Sequence, residues 1–345
     1  MGNCLITKLK GIVQDEKLLK IGEIRFGVHK VSSPSDNTQY CKFISTRSQK
    51  INIVGGHFSD SSLTQNNGNS GNITANQQFG FLISNDDSTI ILSDKYALTN
   101  ITSYAIDDFD LSSIKYCKEL QELVLIRAGV TGDLKDLSGL SKLTNLTLKS
   151  EFATGDISDI INLPLTTFQL ESSLITGDIT ILSGKELSTI EIGGTSISGS
   201  INNLTFPSVV WFTSNTAITG DLGTVTFNTD GSKFNLNGNV NLGCDLSNVK
   251  NLILISNGGK QSPVFTWGSG TPSYILAMEA ITMASSSDVD NMLNKQATLS
   301  LHPNANNVQS KKIDLYCTEG RTSASDSAIS ILQEKGVTVS VRTSM

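Results

Sequence analysis

A glycine recurs through the middle of the chain at almost constant spacing. Gly132, Gly155, Gly177, Gly199, Gly220 and Gly243 stand 23, 22, 22, 21 and 23 residues apart. Four of them open one word: Gly132-Asp133-Leu134, Gly155-Asp156-Ile157, Gly177-Asp178-Ile179 and Gly220-Asp221-Leu222. Gly199-Ser200-Ile201 is a near copy. Seven residues before each glycine an apolar pattern ends, at Leu125, Leu148, Leu170, Ile192, Thr213 and Leu236. A period of roughly 20–29 residues with this layout is one supersecondary unit repeated in a stack. One such unit cannot bury its own apolar face, so the chain is constrained to a solenoid whose coils cover one another. That architecture offers an extended surface rather than a closed pocket.

The clearest coils read L-x-x-L-x-L, at Leu143/Leu146/Leu148, Leu165/Phe168/Leu170 and Leu187/Ile190/Ile192. Residues two apart share one face of a strand, so Leu146/Leu148, Phe168/Leu170 and Ile190/Ile192 face inward. The glycine is expected at a turn with positive φ or a close backbone approach. The aspartate after it suits an acceptor for nearby backbone N–H groups. Ile175, Ile197 and Ile218 return the chain to the core. In the 200–215 coil the pattern is placed on Ser208, Trp211 and Thr213, which turns Phe212 outward. The outward strand residues are then Val124, Thr147, Gln169, Glu191, Phe212 and Asn235, followed by Ile126, Lys149, Glu171, Gly193, Ser214 and Asn237. Gln169, Glu171, Glu191, Phe212 and Asn235 are the candidate binding residues, with Phe212 as a stacking platform among polar neighbours.

These coils resemble leucine-rich repeats, in the variety whose second half reads tGdI, over about residues 115–256. That family usually places Asn three residues after the last Leu. Here the position holds Ala128, Glu151, Ser173, Thr195 and Asn239, so small hydroxyl residues are expected to take over part of the Asn side chain's bonding to backbone.

The 345 residues allow two or three units. The charged fraction is 17%, Asn, Ser, Thr and Gly are abundant and helix formers sparse, which favours strands and turns. The expected fold class is mainly β with a few helices: a small N-terminal β-domain over 1–98 and a leucine-rich-repeat solenoid over 99–270. A helix-bearing continuation and cap then follows over 271–345. In the first part, 20–31, 40–45 and 50–54 read as strands, 59–76 as a long polar loop, and 79–84 with 89–93 as a hairpin. In the last part, 285–295 and 325–335 read as helices and 297–301, 312–316 and 337–341 as strands, with Gly336 as a C-cap. The second helix carries Asp326, Ala328, Ile331 and Leu332 in phase.

A net charge of −6 without a basic cluster argues against nucleic acid as a partner, and the apolar runs are too short to span a membrane. Met1-Gly2 is followed by Ile6 where myristoylation wants Ser or Thr, and no secretory leader pattern is present. Cys4, Cys41, Cys117, Cys244 and Cys317 are scattered, with no metal-ligand spacing, and read as reduced structural residues. His29, His57 and His302 lie far apart in sequence, and no nucleophile elbow, P-loop or dinucleotide motif occurs. The repeated Asp133, Asp156, Asp178 and Asp221 supply one carboxylate per coil, which suits turn capping better than Ca²⁺, with its six to eight oxygens. Glu171 and Glu191 fall on adjacent coils but lack the setting of a glycosidase pair. No enzymatic role, metal or cofactor is expected.

The opening MGNCLITKLKGIV and the closing GRTSASDSAISILQEKGVTVSVRTSM are similar to virion proteins of crAss-like bacteriophages of gut Bacteroidetes. The resemblance implies a head or tail fibre or decoration protein, made in the host cytoplasm and assembled into the virion. Its N-terminal region would bind other capsid or tail proteins, and its solenoid would face a host surface glycan or receptor. A homo-oligomer is the expected state. The alternative is a bacterial leucine-rich-repeat surface adhesin. A depolymerase on a solenoid would need clustered acids that the sequence does not supply.

Overall fold

In the computed structural model, residues 98–343 are described apart from 104–108, 116, 127–128, 216, 258–262 and 306–308. Before them the backbone of strands within 27–92 is described. The expected N-terminal arm, and the side chains of Cys4, Cys41, His29 and His57, lie outside the described residues. The chain is mainly β, with a parallel solenoid of leucine-rich-repeat type. It divides into two compact units, Met1–Thr176 and Gly177–Met345, a boundary inside the span assigned to the solenoid.

In the first unit, Gly27–Lys30, Gln39–Phe43 and Ile90–Leu92 pair antiparallel in succession. The tract expected to be a loop instead holds a short antiparallel pair, Ser62–Thr64 with Ser70–Asn72, which joins Ile90–Leu92. The expected hairpin is likewise corrected. Gln78–Ile83 pairs with Gln49–Gly55, not with Ile90–Leu92. Both segments are strands, shifted or shortened by one residue at their ends to Gln78–Ile83 and Ile90–Leu92, and long-range partners outcompeted the local turn.

Gln49–Gly55 also pairs antiparallel with β1 (Leu98–Ser103), where the parallel ladder begins. It continues through β2 (Glu122–Ile126), β3 (Asn145–Lys149) and β4 (Thr167–Glu171). In register, Leu123 meets Leu146 and Leu146 meets Phe168, while Leu125, Leu148 and Leu170 align beside them. All are buried, as expected from the alternation. Each fully buried side chain of this kind contributes about 1.5–3 kcal/mol, so a coil is held by its neighbours rather than by its own bonds.

The second unit carries β5 (Thr189–Glu191), β6 (Trp211–Thr213), β7 (Ser232–Asn235), β8 (Leu252–Ser256), β9 (Ala277–Met283), β10 (Lys312–Tyr316) and β11 (Thr338–Arg342). All pair parallel with their neighbours. The C-terminal segment therefore continues the same sheet. Two helices replace the short turns there: α1 (Ser286–Ala297) and α2 (Asp326–Glu334). Ser285 caps α1 by accepting the Asp288 N–H, and Val289, Met292 and Leu293 form its buried stripe. Gly336, at φ 80°, closes α2 by donating to the Gln333 carbonyl. Ile331, expected inside, is instead 41% exposed, because Ala328 and Leu332 alone fill the contact face of this short helix.

No strand forms over 297–301. Thr298 and Leu299 donate to the Lys295 and Gln296 carbonyls and continue the helix end, while Lys335, at the end of α2, donates to the Ala297 and Leu299 carbonyls. The strand of that coil is β9, whose Ala-Met-Glu-Ala sequence carries little β propensity.

The turn between coils follows one design. Gly132, Gly155, Gly177, Gly199 and Gly220 all have positive φ, from 96° to 135°. The next Asp then caps a short 3-10 turn through its side chain: Asp133 accepts from Lys135 N, Asp156 from Ser158 N, Asp178 from Thr180 N and Asp221 from Gly223 N. Asp110 and Asp245 do the same, although neither opens a Gly-Asp word. Gly243 departs from the pattern; it is not among the positive-φ glycines.

Candidate binding face of the sheet

The working surface of a parallel ladder is the face its strands turn away from the core. In the first unit that face holds Gln169 at the centre of β4, half-buried, and Glu171 at its end, exposed. Gln169 Oε1 accepts the Thr147 hydroxyl at 2.9 Å, and Glu122 Oε1 accepts the Thr102 hydroxyl at 3.2 Å. Polar residues on adjacent strands thus satisfy one another here.

In the second unit Glu191, Thr213 and Asn235 lie side by side at the strand ends, and Thr189, Trp211 and Lys233 form the parallel row two residues earlier. Glu191 and Asn235 are therefore brought onto one face with a single strand between them. Asn235 Oδ1 accepts the Asn237 N–H at 2.9 Å, fixing the turn out of β7.

Phe212 is not on this face, which overturns its assignment as a stacking platform. It is fully buried, its ring stacked on Phe234 at 4.8 Å between centroids and edge-on to Phe206 at 5.3 Å. Phe206 stacks in turn on Phe227 at 5.7 Å. The inward residues of this coil are Val209, Phe212 and Ser214, not Ser208, Trp211 and Thr213. The coil between Gly199 and Gly220 has 21 residues, and the missing one lies after the strand: Gly220 follows Phe212 by eight residues, whereas Gly199 follows Ile190 by nine. Counting back from the glycine therefore slips the strand by one, and a slip of one exchanges the two faces.

The corrected register places Trp211 outward. The indole is half-exposed and its Nε1 donates to Thr213 Oγ1 at 2.9 Å, which lays the ring along the strand. Directly beside it on β7 is Lys233, half-exposed. Farther along, β10 carries Asp314, 3% exposed, which pairs with Lys312 at 3.1 Å and with Arg342 at 2.9 Å.

Behind the strand ends each unit carries a set of buried polar side chains. These are Ser150 and Ser172 in the first unit and Thr195, Asn215 and Asn239 in the second. The sequence placed these positions at Glu151 and Ser173 in the first unit, one residue late, and at Thr195 and Asn239 in the second, where they are buried. Ser150 Oγ donates to the Val130 carbonyl and Ser172 Oγ to the Ala153 carbonyl. Asn215 Nδ2 donates to Ile197 O at 2.8 Å, and Asn239 Nδ2 to Ile218 O at 2.8 Å. Each coil thereby closes carbonyls left open in the coil before it, so hydroxyl groups do replace amides, as the repeat positions suggested. Asn237, at φ 51°, reaches across the shortened coil to the Ser214 and Gly193 carbonyls, and a side chain at Gly193 would collide with it at 2.4 Å.

The remaining titratable groups have structural surroundings. Burial, with the carboxylates of Asp221 and Asp245, pushes the Cys244 thiol far above the usual range, which removes it from thiolate chemistry. For Asp245 burial acts upward, but the Ser247 hydroxyl and the Gly268 and Ser247 N–H groups outweigh it and lower its pKa. His302 is buried, its Nδ1 accepting the Asn304 N–H at 3.0 Å and its Nε2 lying 3.1 Å from Asp230, with Tyr274 edge-on to the ring. It pins the loop before β10 to the loop before β7 through that contact.

No family model and no curated protein matches the chain. Among solved structures it is similar to an internalin (inlF) from Listeria monocytogenes, at 14% identity over 75% of this chain and 85% of that one, with a TM-score of 0.34. At that similarity neither ligand nor role transfers between the two.

Proposed function

We propose that the protein is a non-catalytic recognition component of a bacteriophage particle, a head or tail fibre or decoration. Its N-terminal region attaches to other virion proteins and its solenoid faces the host surface. The observation that carries the recognition role is the division of side chains across the ladder. Apolar groups are spent on the core, while the outward rows of the second unit gather Glu191, Thr213, Asn235, Lys233 and a half-exposed Trp211. The virion assignment is supported by the opening and closing phrases of the sequence. Homo-oligomerisation, and the lack of a nucleic-acid, membrane, metal or cofactor requirement, belong to the same reading.

Mass spectrometry and cryo-electron microscopy of purified particles test it. The chain at stoichiometric copy number, with residues 1–60 against capsid or tail proteins, is the expected result. Absence from particles together with presence on cell envelopes overturns it in favour of the second reading, a bacterial leucine-rich-repeat surface adhesin, which the solenoid serves equally well.

A further inference from the structure

We infer that the outward face of β5–β7 is a subsite for an anionic sugar ring, a hexuronate or sulfated hexose of a polysaccharide, with Trp211 under the ring and Lys233 against its acid group. The inference rests on the recognition role proposed above and names its ligand class.

Three observations carry it. First, Trp211 stays half-exposed although Phe206, Phe212, Phe227 and Phe234 of the same region are all buried, so burial was attainable for aromatic side chains here. Its own bond to Thr213 holds the indole along the strand. A planar apolar face of that size suits the C–H face of a pyranose, and satisfying Nε1 internally leaves the ring to act by contact rather than by donation.

Second, the groups around the indole are hydroxyls, an amide and a carboxylate: Thr189, Thr213, Asn235 and Glu191. These exchange hydrogen bonds with sugar hydroxyls. Thr213 Oγ1 and Asn235 Oδ1 already accept bonds within the chain, so the groups turned to a ligand are the Thr213 O–H and the Asn235 amide N–H donors.

Third, the cations of this sheet face are used unequally. Lys312 and Arg342 are both held by Asp314. Lys233, beside Trp211 at the strand spacing of about 4.8 Å, has no ion pair among the described residues. A half-exposed ammonium next to a stacking surface selects a ring that carries its charge on the rim, as a carboxylate or sulfate does.

The full-length protein is titrated with polygalacturonate and hyaluronate and with their carboxyl-reduced neutral counterparts, by calorimetry and tryptophan emission. Trp267, the other tryptophan, is 5% exposed, so a ligand-induced change in emission reports on Trp211. The expected result is binding of an acidic polymer about fivefold tighter than its reduced form, the size of one exposed charge contact. Lys233→Met is expected to abolish that preference while keeping the emission change. Trp211→Ala is expected to weaken both forms about tenfold with an unchanged melting temperature.

Equal binding of acidic and neutral polymers by the unaltered protein, or a preference that survives Lys233→Met, overturns the anionic subsite and leaves the recognition role standing. Binding untouched by Trp211→Ala places any site elsewhere and overturns the inference entirely, as does failure of every polymer to bind. The recognition role itself falls only with the particle and envelope measurements.

Discussion

Replacing Gly155 by Ala tests the turn that repeats through the solenoid. Gly155 has φ 121°, outside even the left-handed well that other residues tolerate. Holding a side-chain-bearing residue in such a region costs about 1–3 kcal/mol. An added Cβ would also stand 2.8 Å from Asp133 Oδ1, 2.8 Å from the Leu134 nitrogen and 3.0 Å from the Leu134 Cβ. The nitrogen belongs to the backbone of the preceding turn and cannot swing aside. The carboxylate oxygen is the one that accepts the Lys135 N–H, so moving it also loses a cap worth about 0.5–2 kcal/mol.

The two terms sum to about 1.5–5 kcal/mol, which for a unit of this size lowers the melting temperature by roughly 3–20 °C. Two other glycines separate the causes. Gly184, at φ 76° with nothing within 4 Å, carries the backbone term alone, and Gly184→Ala should cost about 1 kcal/mol. Gly243, with neither positive φ nor close neighbours, should gain about 0.4–1 kcal/mol as alanine, through loss of unfolded-state freedom. Urea denaturation of the three variants gives the comparison. A Gly155→Ala midpoint equal to that of Gly243→Ala would refute the account of the turn.

Three further outcomes are expected. Phe212→Ala should cost about 3–5 kcal/mol because its ring is buried and stacked on Phe234, whereas Trp211→Ala should leave thermal stability almost unchanged; the reverse order would return the strand to the other register. Asn239→Ala should cost about 1–3 kcal/mol by stranding the Ile218 carbonyl and removing the side-chain bonds to the Asn215 carbonyl and the Asn241 N–H, and Asn239→Ser should recover part of this, as Ser172 serves the same position; denaturation midpoints check the order. For Asp290 burial acts upward, but hydrogen bonds from Ser325 and Thr322 and the charge of Arg321 prevail and lower its pKa. Its stabilisation of the α1–α2 contact is therefore fully present above the unfolded value of about 3.9 and is lost as pH falls through the lower folded value. Asp290→Asn should be less stable at pH 7 and flatter in its acid dependence; a wild-type acid slope in the variant would contradict this.

The sequence alone determined the solenoid, because its signals are local and repeated. Leu146/Leu148 and Phe168/Leu170 alternate at the period of a strand, and Gly155-Asp156 and its copies state the turn geometry outright. Lys312–Tyr316, α1 and α2 were legible for the same reason, from uninterrupted apolar period and caps. The outward face was legible at Glu191 and Asn235, whose coils keep the standard length, and illegible at the aromatic residue between them. One residue missing after β6 exchanged Phe212 for Trp211, and only the stacking of Phe212 on Phe234 decides which ring goes inside.

Other features also needed the tertiary structure. Ala277–Met283 is a strand because a slot between β8 and β10 demands one, against its own propensity. Ile90–Leu92 chose distant partners over a neighbouring turn. Asn237 bridges a gap that exists only once three coils are stacked. In each case the deciding energy is contact between residues about twenty or more positions apart, which no window of local pattern contains.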